Sequence, residues 1–294
     1  MSAVATVHRH SSPCGDWELA LGTPSPALRP FVQGMYTGSE ERLTGTIRRL
    51  ELPHPGIVCI FDFGDGYRVS PPRTTAPDGT STLGSFVAGL HDAWVHVDAA
   101  GTSRCVQVNL TPLGALRLLG LPMRELVNRS TPMDALPVAH ELQLSEQLHE
   151  ATGWEARFAM IERALLRRLA RARAVPSLVE AAWHRMWDAG GVIDVAQLSR
   201  SLGCGRRHLG AMVQEHAGLP PKRLSRLIRF DAAVARLSRM APRPAPVRLS
   251  ALAHTSGYYD HAHMDRDFRE FAGMSPTEYL AIRHPMFGAL VHAD

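Results

Sequence analysis

The residues best suited to recognition chemistry lie in one short segment near the C-terminus, His261–Ala272. At 3.6 residues per turn, one side of this segment is apolar and carries Met264, Phe268 and Phe271. The other side carries His261, Ala262, Arg266 and Arg269, with His263 turned partly inward. An arginine guanidinium can donate two hydrogen bonds to guanine O6 and N7, the commonest specific contact in the DNA major groove. The polar side therefore predicts contact with the edges of DNA bases and with phosphates. Asp265, on the same side, and Asp267 flank these residues and would repel phosphate or accept from a cytosine amino group.

Turn and cap residues define the helices that must hold this polar side in place. Gly257 can adopt a positive φ and end a helix over Leu249–Ser256, and Asp260 is a suitable N-cap for the helix that follows. Gly273 ends that second helix, and the Ser-x-x-Glu pattern of Ser275–Glu278 is a capping box that begins another. Two short helices joined at a glycine-centred turn are typical of a helix-turn-helix, whose second helix enters the major groove.

At these residues the chain resembles the AraC/XylS-type transcriptional regulators. The residues that match the signature of that family are Gly257, Tyr258, Asp260, His263, Met264, Arg266, Phe268, Arg269, Gly273, Ser275, Pro276 and Tyr279. The resemblance implies a bacterial, sequence-specific regulator with a C-terminal all-α domain of two helix-turn-helix subdomains joined by a long helix. It also implies an N-terminal cupin-like sensor domain, which can bind a small-molecule effector, and RNA polymerase as a further partner.

An earlier copy of the same pattern precedes this segment, which supports a tandem array. Gly203 lies 54 residues before Gly257, and the residues after it predict a helix over Arg206–His216. The long connecting helix is predicted over Lys222–Met240. In the first copy the positions that correspond to the polar side are Arg206, Arg207, Gly210 and Ala211. Because Gly210 and Ala211 stand where longer polar side chains are expected, base recognition by this copy depends on Arg207, supported by Arg206.

The charge of the chain is concentrated in this C-terminal half. The formal net charge is +4, and residues 1–174 contain 17 basic and 17 acidic residues, whereas residues 175–294 contain 15 and 11. A basic balance favours a nucleic-acid partner. The four cysteines are scattered without a Cys-x-x-Cys pair, and no secretory or membrane-spanning segment is visible. These features predict a soluble, reduced, cytoplasmic protein without membrane contact.

Period-two patterns predict an antiparallel β-barrel or sandwich in the first half, so the fold class is α+β. The predicted strands are Thr46–Leu52, Ile57–Phe63, Tyr67–Ser70, Ser85–Leu90, Ala93–Val97 and Arg104–Leu110. The predicted organisation has four parts. They are a mobile lead-in at 1–25, a β-rich sensor or regulatory domain at 26–138, a helical linker or dimerisation segment at 139–174 and the DNA-binding domain at 175–285.

The helical pattern over Trp154–Ala172 has an apolar stripe that includes Phe158, Ile161 and Leu165. Such a stripe is more often a packing surface than a cofactor site. Two kinds of packing are open, a dimer seam and burial within the chain, and the seam is slightly favoured. A homodimer is therefore expected.

The histidines of the first half do not form a convincing metal site. His91 and His96 are five residues apart, an odd spacing that sends two strand side chains to opposite faces, and neither they nor His54 belongs to a His-x-His pattern. The predicted alternative is loop and surface histidines. His8, His10 and Cys14 lack a fourth ligand nearby. We expect no metal, no other cofactor and no catalytic residues, with double-stranded DNA as the main partner. The alternative is a cupin-type enzyme that carries an accessory helix-turn-helix domain.

Overall fold

The computed structural model describes residues 3–70, 81–240, 248–282 and 290–293. It has the predicted α+β class, with antiparallel sheets and several helices in the first half and helices in the second. The strands are β1 (Ala3–Ser12), β2 (Gly15–Thr23), β3 (Tyr36–Leu43), β4 (Ile47–Glu51), β5 (Ile57–Asp62), β6 (Tyr67–Ser70), β7 (Ser81–Leu83), β8 (Phe86–Ala88), β9 (Val95–Ala99), β10 (Thr102–Leu110), β11 (Ser130–Pro132) and β12 (Leu290–Ala293).

The strands form two antiparallel sheets. One has seven strands in the order β1-β2-β3-β10-β5-β8-β11, and the other has five in the order β12-β4-β9-β6-β7. Strand β10 is central because its alternating sequence buries Cys105, Val106, Val108 and Leu110, while both of its edges pair, with β3 and with β5. All six predicted strands correspond to strands of the structure, with ends that differ by up to two residues.

The predicted mobile lead-in at 1–25 is wrong, because β1 and β2 form a hairpin that pairs from Ala3–Thr23 to Ser12–Gly15. Strand β2 continues the sheet by pairing with β3 along eight residue pairs. The polar composition of β1 reflects its position at the sheet edge, where Thr6–Ser11 are exposed. Polar edge strands show no clean alternation of buried and exposed residues, which is why the sequence pattern did not reveal them.

The helices of the first half are α1 (Pro112–Leu119), α2 (Ala139–Leu142), α3 (Ser145–Glu150) and α4 (Trp154–Arg171). Helix α4 packs on the seven-stranded sheet at two strand glycines. A Cβ at Gly22 would lie 2.5 Å from the Phe158 ring, and one at Gly38 would lie 2.4 Å from the Trp154 ring. The apolar stripe of α4 is therefore buried within the chain, with Phe158 and Ile161 fully buried. The dimer seam that was slightly favoured for this stripe is not supported.

The helices of the second half are α5 (Ser177–Asp188), α6 (Val195–Ser201), α7 (Arg206–Ala217), α8 (Pro221–Met240), α9 (Leu249–Thr255), α10 (His261–Ala272) and α11 (Pro276–Ile282). The long helix α8 connects the two repeats as predicted. Residues of α8 that face inward, among them Leu224, Leu227 and Phe230, are fully buried. No helix among the described residues is long and apolar enough to cross a lipid bilayer.

The two halves are in close contact. Arg223 on α8 donates to the backbone oxygen of Asp92 at 3.0 Å and forms an ion pair with its carboxylate at 3.1 Å. At the other repeat, Arg124 forms an ion pair with Glu215 on α7. The chain also returns to the first half, because β12 pairs with β4. Both repeats are therefore fixed to the sensor half.

The Gly38 contact gives a test of this packing. We expect Gly38→Ala to lower the free energy of unfolding by about 1–3 kcal/mol, because the added methyl group would overlap the Trp154 ring and force α4 outward. The matched control is Gly45→Ala, since a Cβ at Gly45 has nothing within 4 Å. Urea unfolding of the two variants measures the difference. Equal stability of the two would contradict the packing of α4 on β3.

Candidate nucleic-acid interface

Helix α10 begins and ends at the residues that the sequence predicts. The Asp260 carboxylate accepts from the His263 N–H at 2.7 Å, and Gly273 ends the helix with φ 74°. In the capping box of α11, the Glu278 carboxylate accepts from the Ser275 N–H at 2.6 Å, and the Ser275 hydroxyl accepts from the Glu278 N–H at 3.3 Å. These bonds satisfy backbone donors that a helix start otherwise leaves unpaired. The ends of α10, and with them the position of its polar side, are therefore set by neighbouring cap residues.

The structure brings most of the predicted polar side of α10 to the surface. His261, Ala262, Arg266 and Arg269 are exposed, whereas Met264, Phe268 and Phe271 are fully buried. Arg269 pairs with Asp265 one turn earlier at 2.9 Å, but no ion pair or hydrogen bond among the described residues engages the Arg266 side chain. Arg266 is therefore free to contact a ligand.

His263 differs from its neighbours because it faces helix α8. Its imidazole lies edge-on to the Tyr258 ring at 5.2 Å between centroids, and its Nε2 is 3.4 Å from Arg229 Nη2. Burial lowers the pKa of His263, and the Arg229 charge lowers it further. A neutral His263 packs between the two helices, so its role is to support α10 more than to present a side chain.

Tyr259 is an exposed aromatic residue that the sequence analysis did not single out. It lies directly before the N-cap of α10 and is 84% exposed. In the sequence it is visible only as the second residue of the pair Tyr258–Tyr259. Tyr258 is buried against Arg229, whereas Tyr259 is exposed. An exposed tyrosine at the start of the helix extends the surface formed by His261 and Arg266.

A group of arginines on α8 holds α10 in place. Arg226 donates to the Asp267 carboxylate at 2.7 Å, and Arg229 donates to the other oxygen of the same carboxylate at 3.3 Å. The side chain of Asp267 is almost completely buried, so two charges offset the cost of burying it. The sequence analysis placed Asp267 beside the DNA-contacting side, where it would repel phosphate or accept from cytosine. That interpretation is wrong, because Asp267 is buried and pairs with arginines of α8. The position of Asp267 in the sequence does not reveal that α8 covers it.

Glu270 extends the group to Arg223. Burial raises the pKa of Glu270, but hydrogen bonds from Arg226 and Arg223 outweigh that effect and hold it below its usual value. Arg223 also lies over the Phe271 ring at 4.5 Å and pairs with Asp92 of the sensor half. The group defined by Arg223, Arg226, Arg229, Asp267 and Glu270 is called the α8–α10 ion-pair network below.

The first repeat presents a similar helix with shorter side chains. The Asp194 carboxylate accepts from the Gln197 N–H at 2.8 Å and caps α6, and Gly203 adopts φ 66° before α7. On α7, Arg206, Arg207 and Ala211 are exposed and Gly210 is half-buried. A Cβ at Gly210 would have nothing within 4 Å, so space for a longer side chain is present. The basic residues of this side are confined to the first turn.

The two sheets and the DNA-binding half enclose a cavity of about 530 Å³. Its polar lining includes Glu41, Arg49, Glu51, Gln107 and Asn109 from the strands, and His54 and His91 from loops. Its other wall belongs to the second half and consists of Asp231, Val234 and Tyr279. No group of histidine, cysteine, aspartate and glutamate side chains in the described part of the chain could hold a metal ion. The predicted surface histidines His54 and His91 are in fact cavity residues.

The charges in the cavity are only partly compensated. Arg49 donates to both oxygens of Glu41, at 2.7 and 2.6 Å. Burial raises the pKa of Glu51, although the Arg49 charge opposes this effect. Burial lowers the pKa of His54 to about 4, with a further contribution from His91. Burial also raises the pKa of Asp231 to about 6. At neutral pH the lining is therefore more negative than positive.

The ion-pair network gives a test by substitution. We expect Asp267→Asn to lower the free energy of unfolding by on the order of 3 kcal/mol, because Arg226 and Arg229 would lose a buried counter-charge. The control Asp265→Asn removes an exposed pair on the same helix and should cost less than about 0.5 kcal/mol. Urea unfolding at pH 7 compares them. Similar losses for both variants would show that the network does not hold α10.

Asp231 gives a pH-dependent test. Because burial raises its pKa, its ionisation opposes folding, so its effect is absent at low pH and develops as the pH rises through about 6. We expect Asp231→Asn to be more stable than the parent at pH 8, by on the order of 1–2 kcal/mol, and equally stable near pH 4. Unfolding of an exposed control, Glu180→Gln, should show no such difference between the two pH values. A stabilisation that is the same at both pH values would contradict the assignment.

Comparison with protein-family models identifies both halves as known units. Residues 198–282 match a model described as a helix-turn-helix domain. Residues 22–132 match a domain of unknown function, DUF6597. The first match begins within α6, ends at the last residue of α11 and includes the whole of α8. A search of curated protein sequences gives no match.

Two solved structures share a distant likeness with the chain. ToxT from Vibrio cholerae is 10% identical, with a TM-score of 0.47, and the alignment covers 84% of this chain and 98% of ToxT. CdpR from Pseudomonas aeruginosa, a transcriptional regulator, is 13% identical, with a TM-score of 0.26, and the alignment covers 95% of this chain and 72% of CdpR. At these scores the likeness adds nothing to the argument.

The assignment of the C-terminal half therefore depends on its own features. The two capped repeats, the long helix between them, the exposed basic sides and the family match over 198–282 agree with one another. The chain therefore carries a helix-turn-helix domain in its C-terminal half.

Proposed function

We propose that this chain is a DNA-binding transcriptional regulator of the AraC type and that it recognises a two-part site on double-stranded DNA, with α10 in one major groove and α7 in the next. The observation that carries the proposal is that both helices are attached to one long helix, α8, and each exposes the basic residues of its first turns. Helices that enter successive grooves on one face of the duplex lie about 34 Å, or about 10 base pairs, apart. DNA can bend to fit them at a cost of a few kcal/mol.

Within this proposal α10 supplies most of the sequence specificity. His261, Ala262 and Arg266 approach base edges, and Arg266 is the best candidate for a bidentate contact with guanine. Arg269 approaches a phosphate, for which it would exchange its contact with Asp265. Tyr259 lies at the start of the helix and can contact a thymine methyl group or a sugar. His263 contributes by packing against Tyr258.

Helix α7 contributes a weaker part of the same site. Arg207, supported by Arg206, contacts bases or phosphates, while Gly210 and Ala211 allow close approach of the backbone without a side chain to contact a base. Fewer side chains that distinguish bases mean weaker discrimination. The site should therefore have one well-defined half under α10 and one degenerate half under α7.

The cavity is the proposed site of a small-molecule effector. It has the size of a ligand site, mixes apolar strand residues with a few polar groups, and lies where the sensor half meets α8. A molecule bound there would contact Asp231 and Val234 on the helix that carries both DNA-contacting units. Effector binding and DNA binding would then be coupled through α8.

Homodimerisation, contact with RNA polymerase and a cytoplasmic location complete the proposal. Their support is the resemblance to AraC-type regulators, which act on bacterial DNA inside the cell. The stripe on α4 no longer supports a dimer, because its residues pack on β2 and β3 of the same chain. A dimer would need another surface.

Selection of binding sites from a random DNA pool tests the division of roles. For the full-length chain we expect one sharp and one degenerate half-site. Arg266→Ala should weaken binding by about 1–3 kcal/mol and relax the preference at one or two base pairs of the sharp half. Arg269→Ala is the matched control, because loss of a phosphate contact should weaken binding to all sequences alike. Two equally sharp halves, or an unchanged preference in Arg266→Ala, would overturn this assignment.

A further inference from the structure

The polar wall of the cavity has an unusual charge balance. Glu41 and Arg49 form a bidentate pair and neutralise each other. The histidines of the lining are held neutral at physiological pH, because burial lowers the pKa of both His54 and His91. The acidic side chains that remain are Glu51 on the sensor wall and Asp231 on α8. Arg49 compensates Glu51 only in part, since it already serves Glu41.

Asp231 has no counter-charge of its own. Within the described part of the chain, no hydrogen bond or ion pair engages its carboxylate, and burial alone accounts for its raised pKa. Three arginines of α8, Arg223, Arg226 and Arg229, are not available to it, because they pair with Asp267 and Glu270. The other two donate to Ser256 and to the Ala235 backbone oxygen. Asp231 and Val234 are three residues apart and therefore face the cavity together.

The rest of the lining suits an apolar body. Leu52, Val58, Ile60, Val69 and Phe86 contribute hydrophobic side chains from both sheets. A ligand site of this kind typically encloses the apolar part of a molecule and uses a few polar groups to fix its orientation. A partly buried carboxylate without a partner among the described residues is costly, and a bound cation would offset that cost.

We propose that the cavity binds a small molecule that combines an apolar body with a cationic group, such as an amine, and that the cation pairs with Asp231. This inference rests on the proposed role of the cavity as an effector site and names the chemical class of the effector. An anionic ligand is disfavoured, because its charge would face Glu51 and Asp231, while Arg49 is already paired. The cation would form a contact between the sensor half and α8.

Three probes with the same skeleton separate the possible classes: 4-phenylbutylamine, 4-phenylbutanol and 4-phenylbutyrate. Isothermal titration of the full-length chain at pH 7.5 should give an affinity for the amine at least about tenfold higher than for the alcohol or the carboxylate. In Asp231→Asn, this preference should fall to less than about threefold. Glu180→Gln removes an exposed carboxylate on α5 and should leave the preference unchanged.

The pH profile of the parent chain gives a second measurement that needs no variant. The amine stays protonated throughout, so its affinity should fall at least about threefold between pH 7.5 and pH 5.5, as Asp231 takes up a proton. The other carboxylates and histidines that face the cavity are Glu41, Glu51, His54 and His91, and the remaining titratable groups of the lining are Arg49, Tyr67, Cys105 and Tyr279. Glu51→Gln measured in parallel gives the contribution of the second carboxylate.

The proposal is overturned if the carboxylate binds as tightly as the amine, if none of the three probes binds, or if Asp231→Asn keeps the preference. Binding of the parent chain to a selected DNA site, measured without any probe, distinguishes this failure from failure of the DNA-binding proposal. DNA binding that persists when the amine preference is absent would leave the regulator intact and remove only the proposed ligand class.

Discussion

The buried carboxylate of Asp267 is the interaction on which the arrangement of the DNA-binding half depends. It accepts from Arg226 and Arg229 on the linker helix, and its neighbour Glu270 accepts from Arg226 and Arg223. Arg223 also pairs with Asp92 of the sensor half. One continuous set of charges thus runs from the sensor half through α8 to α10. Because a buried charge without its partner is strongly unfavourable, this set favours one orientation of α10 over neighbouring ones.

This network reduces the number of positive charges that the C-terminal half can present to DNA. Residues 175–294 contain four more basic than acidic residues, a balance that by itself suggests a basic surface. Three arginines of this half, Arg223, Arg226 and Arg229, pair within the chain and orient α10, so fewer cations are available to DNA. The arginines on the exposed sides of α7 and α10 are Arg206, Arg207, Arg266 and Arg269. Affinity from phosphate contacts should therefore be moderate, and base contacts should carry a larger share of recognition.

Local signals in the sequence predicted the DNA-binding half well, and non-local contacts explain what they missed. The Asp260 cap, the Ser275–Glu278 capping box and the left-handed glycines are set by residues within one helical turn, so their spacing was sufficient to predict the helix ends. Strand β1 was missed because it is a polar strand at the sheet edge, and β2 and β3 were missed because their charged and small residues show no clear apolar alternation. The roles of Asp267 and Asp231 depend on which helix or sheet covers them, and that information is not contained in the spacing of either residue.

If two helices held by α8 contact one face of the DNA duplex, with α10 contributing more than α7, the protein should leave a two-part footprint. Hydroxyl-radical footprinting of the chain on a selected DNA site measures this. We expect two protected regions about 10 base pairs apart on the same face, with the stronger protection at the half-site that carries the better-defined sequence. A single protected region, two regions on opposite faces, or uniform protection along the duplex would contradict this arrangement.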